Sequence, residues 1–162
     1  RLLAAGADKV SVGSAGVTNP ALLAEIADRF GNQVLVISLD LKRDSATDSG
    51  FTVTTHGGAN ETGLDALEWI AKVQDLGAGE LLINSIDADG TRNGFDIELI
   101  ELVRGHSRVP IIASGGAGKA KDFPQAALSG ADAILAASIF HEGSVSISDA
   151  KSELKLAGCV VR

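Results

Sequence analysis

Gly130-Ala131-Asp132-Ala133-Ile134-Leu135-Ala136-Ala137-Ser138 decides the fold, because the chain carries this stretch in more than one copy. Gly6-Ala7-Asp8-Lys9-Val10-Ser11-Val12-Gly13-Ser14 is a second copy, and Gly77-Ala78-Gly79-Glu80-Leu81-Leu82-Ile83-Asn84-Ser85 is a partial third. Each reads as a helix end closed by glycine, a tight turn, a short buried strand, and a serine eight residues after the glycine. The apolar frame repeats too: Leu2-Leu3-Ala4-Ala5 precedes one turn and Ala126-Ala127-Leu128 another. Repeated helix-to-strand units imply parallel strands joined by helical crossovers. Ser14 and Ser138, at equivalent strand ends, mark two candidate anion sites.

Working outward from these copies, the chain alternates strand and helix. Lys9 to Val12 reads as a strand, and Asn19-Pro20 opens a helix to about Phe30, with proline where its missing N–H is harmless. Val34 to Asp40 is a buried strand of the parallel type. Phe51 to Thr55 alternates and reads as one arm of an exposed hairpin, with His56 to Asn60 as a loop and a helix from about Gly63 to Leu76. Strands follow at Leu81–Ser85, Val109–Ser114 and Ala133–Ala137, with helices at about Asp96–Arg104, Lys121–Leu128 and Ser148–Leu156. The expectation is an α/β fold of five parallel strands, forming a single domain over residues 1–162 without linkers.

A chain of 162 residues is short for a closed eight-fold α/β barrel, which typically needs about 250. Arg1-Leu2-Leu3-Ala4-Ala5 reads as the last turns of a helix, so the chain is expected to be part of something longer. No apolar run approaches a membrane span, and no signal segment is visible. The net charge of −7 speaks against a nucleic-acid surface but not against a small anion held by loops and helix ends. The lone Cys159 excludes an internal disulfide and fits a reducing, cytoplasmic setting.

Ligands of parallel α/β sheets sit at the C-terminal strand ends. The polar residues concentrate there: Ser11 to Ser14, Asp40, Asn84 to Thr91, Ser114 to Gly118, and Ala137-Ser138. Ser114-Gly115-Gly116-Ala117-Gly118 follows a strand and precedes a helix, which suits close approach of backbone N–H groups to a phosphate. Ser138 comes from the next strand and completes that site. Asp40 ends an apolar strand and is a partly desolvated candidate for general acid–base work. Asn84 and Asp89 are candidates for orienting a substrate. Asp87-Ala88-Asp89-Gly90 lacks the later glutamate of a calcium loop, so no metal is expected. His56, His106 and His141 have no spacing of a metal site or triad, and His56 is the one placed to touch substrate. Lys9 and Glu80 lie at the opposite, N-terminal ends of their strands.

With these pieces in place the chain resembles the cyclase subunit of imidazole glycerol phosphate synthase, from histidine biosynthesis. The matching segments include Gly6-Ala7-Asp8-Lys9-Val10-Ser11, Leu39-Asp40-Leu41-Lys42-Arg43, Thr55-His56-Gly57-Gly58, Thr62-Gly63-Leu64-Asp65-Ala66, Ser85-Ile86-Asp87-Ala88-Asp89-Gly90-Thr91 and Pro110 to Gly118, in family order from end to end. The resemblance implies membership of the TIM (β/α)8-barrel family, here as a partial barrel of about five βα units. It implies ammonia taken from a glutaminase subunit and condensed with a bis-phosphorylated ribulosyl aminoimidazole substrate, without cofactor or metal. Asp40 matches one of the family's two catalytic aspartates. Ser114, Gly115, Gly116, Ala137 and Ser138 match one phosphate site and Ser14 the other, where Gly13 stands in place of the family's more usual asparagine. Lys9 and Glu80 match the charged residues where ammonia enters, and Asp8 the partner-facing surface.

The family's first three βα units, with the other catalytic aspartate, would precede Arg1. The chain alone is therefore expected to self-associate and to be close to inactive as a cyclase. The sister isomerase of the same pathway shares the barrel and the two phosphates, but Thr55-His56-Gly57-Gly58 and Asp40-Leu41-Lys42-Arg43 fit the cyclase better. A non-catalytic folding or assembly module, with inherited but idle site residues, is the alternative of a different class.

Overall fold

A computed structural model describes residues 1–162. Parallel strands β1 (Val10–Val12), β2 (Leu35–Arg43), β5 (Glu80–Ser85), β6 (Ile111–Ser114) and β7 (Ala133–Ile134) form one sheet with an antiparallel hairpin, β3 (Phe51–Thr55) and β4 (Asn60–Asp65). Strand β2 is the hinge of this arrangement. One edge pairs with β1 through Val10↔Leu35 and further up with β3 through Asp40↔Thr54, while the other edge pairs with β5 along its length. β6 and β7 continue from β5, and the sheet ends there without closing, as suits a partial barrel.

The repeated unit has a physical cause. Gly6, Gly77 and Gly130 all sit at positive φ (+101°, +96° and +114°), and the alanine after each donates its N–H to the carbonyl five residues back. That is the Schellman termination of a helix, which needs a residue free to turn left-handed. A fourth instance closes the last helix, where Gly158 and Cys159 play the same parts.

The helices cover one face of the sheet. Ala66, Trp69, Ile70 and Val73 of α3 (Ala66–Asp75) recur at helical spacing and are buried. Leu99, Ile100 and Val103 of α4 (Ile97–Arg104) do the same, with Leu23 and Ala27 of α2 (Ala21–Phe30) and Phe123 and Ala126 of α5 (Phe123–Leu128). Strand residues facing these helices, among them Ile37, Leu39, Leu41, Leu81, Ile83, Ile111 and Ala113, are buried. Alternation turns Ser38, Asp40, Leu82, Asn84, Ile112 and Ser114 to the other face, where they stay partly exposed. Register sorts that inner face into layers: Ser38, Leu82, Ile112 and Ala133 in the middle, and Asp40, Asn84 and Ser114 in a polar row at the C-terminal ends.

Several boundaries differ from expectation. The hairpin is exposed only on its second arm, β4: every residue of β3 is buried, because its antiparallel pairing with β2 carries it into the core beneath α3. Its second arm occupies Asn60–Asp65, so α3 begins only at Ala66, where the Asp65 side chain accepts the N–H groups of Leu67 and Glu68. Strand β7 stops at Ile134 rather than Ala137, and the residues beyond lead into a short helix, α6 (Ser138–His141). A matching short helix, α1 (Ser14–Thr18), follows β1, so both repeat serines open a helical turn. The last helix, α7 (Ile147–Leu156), is capped by Ser146 in a box with Asp149, not by Ser148. No helix is long and apolar enough to cross a membrane.

Candidate functional site

Asp40 stands in the polar row at the sheet's C-terminal edge, with β3 on one side and β5 on the other. Its Oδ1 accepts from Asn84 Nδ2 at 3.3 Å and its Oδ2 from the Gly57 N–H at 3.2 Å. The carboxylate is thereby aimed, and no cation bonds to it. Gly57 belongs to the β3–β4 turn, whose previous residue, His56, holds a left-handed backbone at φ +56° and donates its N–H to Ser14 Oγ at 2.9 Å. Through this turn the structure brings together Asp40 and Ser14, which lie on different strand ends. The His56 ring makes no hydrogen bond to Asp40; its Nδ1 pairs with Asn60 Nδ2 at 3.2 Å. Next to Ser14, a Cβ at Gly13 would lie 3.6 Å from Ser38, an ordinary contact, so glycine is not forced there by packing against a Cβ.

Beside the row is a pocket of about 240 Å³. Ser114, Gly115, Gly116, Ala137, Ser138 and Asp89 all line it, together with Gly90 and Arg92. Gly115 and Gly116 adopt φ +92° and +100°, and their N–H groups, like that of Ala117, make no hydrogen bond within the chain. Close packing dictates the glycines as strictly as any ligand: a Cβ on Gly116 would sit 2.1 Å from the Gly94 carbonyl oxygen. In the core Phe95 meets Phe123 edge-on and Phe123 meets Phe140 at a tilt, with centroids 5.6 and 5.8 Å apart. A cage of unpaired amides and hydroxyls, Ser114 and Ser138 among them, suits an oxyanion such as a phosphate.

The third repeat copy departs from the other two. Ser85 is buried and donates to Asp96 Oδ2 at 3.1 Å, so it serves the framework and is not part of the lining of that pocket. Asp96 also caps α4 and pairs with Arg43, whose backbone N–H reaches Asp87 and whose guanidinium lies over Phe51. Burial alone would pull Arg43 below its ordinary value, but Glu98 and Asp96 more than offset it, and the pKa is raised. Asp87 is therefore a strap between β2 and the loop after β5.

At the opposite end of the sheet, the Lys9 ammonium pairs with Glu80, bridging β1 and β5 across β2. Asp8 is exposed beside them. His106 lies in a surface turn, its Nδ1 near the Leu102 carbonyl. Sequence reasoning missed Arg92, which stands one residue past the Asp87–Thr91 loop, and it missed that His56 acts through its backbone. The only signal for Arg92 was its place within three residues of Asp89.

Comparison with known proteins adds the following. The sequence model of the family described as histidine biosynthesis protein matches residues 1–146. A protein of Leifsonia xyli subsp. xyli named imidazole glycerol phosphate synthase subunit HisF is 65% identical over 162 residues, covering 100% of this chain and 64% of the relative. Proteins of the same name from Nocardioides sp. and Thermobifida fusca are 58% and 56% identical, covering 100% of this chain and 65% and 64% of themselves. The chain thus spans just under two thirds of the length of the curated relatives it matches.

Proposed function

The chain belongs to the histidine biosynthesis protein family, and from that premise we propose that it supplies a catalytic aspartate and a phosphate pocket to an enzyme making imidazole glycerol phosphate. In this reading ammonia condenses with a bis-phosphorylated ribulosyl aminoimidazole carboxamide, releasing an aminoimidazole carboxamide ribotide. Asp40 moves protons as general acid or base, oriented by Asn84 and the Gly57 N–H. One phosphate rests on the amides of Gly115 and Gly116 with Ser114, Ala137, Ser138 and Asp89 around it. The other is met by Ser14, whose oxygen takes the His56 N–H and whose own proton remains free to donate. Lys9 and Glu80, with Asp8 outside them, mark where ammonia enters and where a glutaminase subunit docks.

The observation that carries this reading is the row of Asp40, Asn84 and Ser114 across three strand ends, with the pocket at its margin. The cyclase is preferred to the isomerase because the relatives cited bear the synthase name. A chimera tests the proposal: this segment replaces its counterpart in the Leifsonia relative, which aligns with all 162 residues. Ammonium-dependent turnover is expected in the chimera, and Asp40→Asn is expected to reduce it by about a hundredfold or more while phosphate binding persists. Undiminished turnover in Asp40→Asn would remove Asp40 from the mechanism.

A further inference from the structure

We propose that Arg92 is the cationic ligand of the phosphate pocket and that Glu142 is an internal carboxylate competing with phosphate for it. The proposal rests on the phosphate reading of that pocket. Arg92 is the only basic residue among those lining it, and it faces the same space as the acidic Asp89. A dianion entering beside Asp89 meets repulsion that neutral amides only partly offset, so one guanidinium there decides the electrostatic balance. Arg92 is set in place by its backbone. It holds φ +58°, one of only two non-glycine residues of the chain at positive φ, and its carbonyl oxygen would lie 2.1 Å from a Cβ on Gly118. The bare Gly118 lets this loop settle onto the glycine turn, which carries Arg92 to the pocket wall.

One Nη of Arg92 reaches both carboxylate oxygens of Glu142 at 2.6 Å. Glu142 follows directly on α6, the helix that Ser138 opens, and does not itself line the pocket. Its carboxylate therefore presents to Arg92, from just outside, the paired oxygens that a phosphate would present from within. Both side chains are about half-exposed, so the pair is weak enough to exchange partners. Phosphate binding then trades one anion for another at Arg92 and frees Glu142 to solvent.

The test is a titration of this chain with inorganic phosphate at low ionic strength, followed by calorimetry and by backbone amide shifts at Gly115, Gly116 and Ser138. Glu142→Gln is expected to tighten phosphate binding about two- to fivefold, the strength of one exposed ion pair. Arg92→Asn, which tolerates the left-handed backbone, is expected to weaken binding about tenfold and to abolish the gain from Glu142→Gln in the double variant. A dissociation constant unchanged within twofold in both single variants, with the amide shifts intact, would overturn the role of Arg92 and leave the phosphate pocket standing. If the unaltered chain shows no saturable shift at Gly115 and Gly116, the phosphate reading fails and takes this inference with it.

Discussion

Gly116 and Gly90 line the same pocket and have opposite reasons to be glycine. Gly116 lies against a backbone carbonyl, with φ +100° and a hypothetical Cβ 2.1 Å from Gly94 O. Gly90 has φ +74° but nothing within 4 Å of such a Cβ. Alanine at Gly90 meets only the left-handed backbone penalty of about 1 kcal/mol. Alanine at Gly116 adds a collision that must push the two loops apart, so its cost should exceed that of Gly90→Ala by more than about 1 kcal/mol and remove phosphate binding. Urea unfolding of the two variants, with phosphate titrations alongside, makes the comparison. Equal stabilities would mean that the loops yield and that the packing is not what fixes the turn.

Among the elements, the junction of β4 and α3 is the one most dependent on a single side chain. Asp65 closes the hairpin by pairing with Thr52, caps α3, and accepts the Ser49 N–H at 2.7 Å. Burial tends to raise its pKa, but the hydrogen bonds from Ser49, Glu68 and Leu67 outweigh it, and the net shift is downward. A lowered folded-state pKa means that the stabilisation is complete above the ordinary aspartate value near about 3.9 and is lost as pH falls through the lower folded value. Asp65→Ala should therefore cost about 1–2 kcal/mol near neutrality, and the gap to the unaltered chain should narrow in acid below about pH 4. Denaturation midpoints measured from pH 7 to pH 3 show this directly. A gap that stayed constant would assign the loss to packing rather than to the charged cap.

At the scale of the whole molecule, the sheet is open and one face is only half covered. β7 is two residues long with no strand paired to its outer edge, and Leu128, Ile147, Leu156 and Val160 are exposed around that end. Unpaired strand edges beside apolar surface favour association. The chain in isolation is expected to form oligomers whose mass, by light scattering, rises with concentration. Ile147, at 59% exposure, lies on the apolar groove between α5, α7 and the final residues. Ile147→Lys should shift the population toward the single chain without changing the far-ultraviolet spectrum. A strictly monomeric unaltered chain would show that the open edge is self-sufficient.

The sequence by itself determined the repeating unit, the five parallel strands and the candidates at their ends. These depend on neighbours in the chain: a glycine able to turn left, an N–H five residues from its carbonyl, apolar residues at strand or helix spacing. Asp40, the glycine turn and Ser138 were legible for that reason, each standing at the end of an apolar strand or just beyond it. Only the tertiary structure decided what distant groups do to one another. It buried β3 by pairing it with β2, and it turned Ser85 toward Asp96 while its counterparts Ser14 and Ser138 stayed accessible. It set the His56–Gly57 turn on Ser14 and Asp40, 42 and 17 residues away. It also joined Arg92 to Glu142 across 50 residues. No local propensity encodes such contacts, because their geometry is fixed by strand register and by which loops pack against each other.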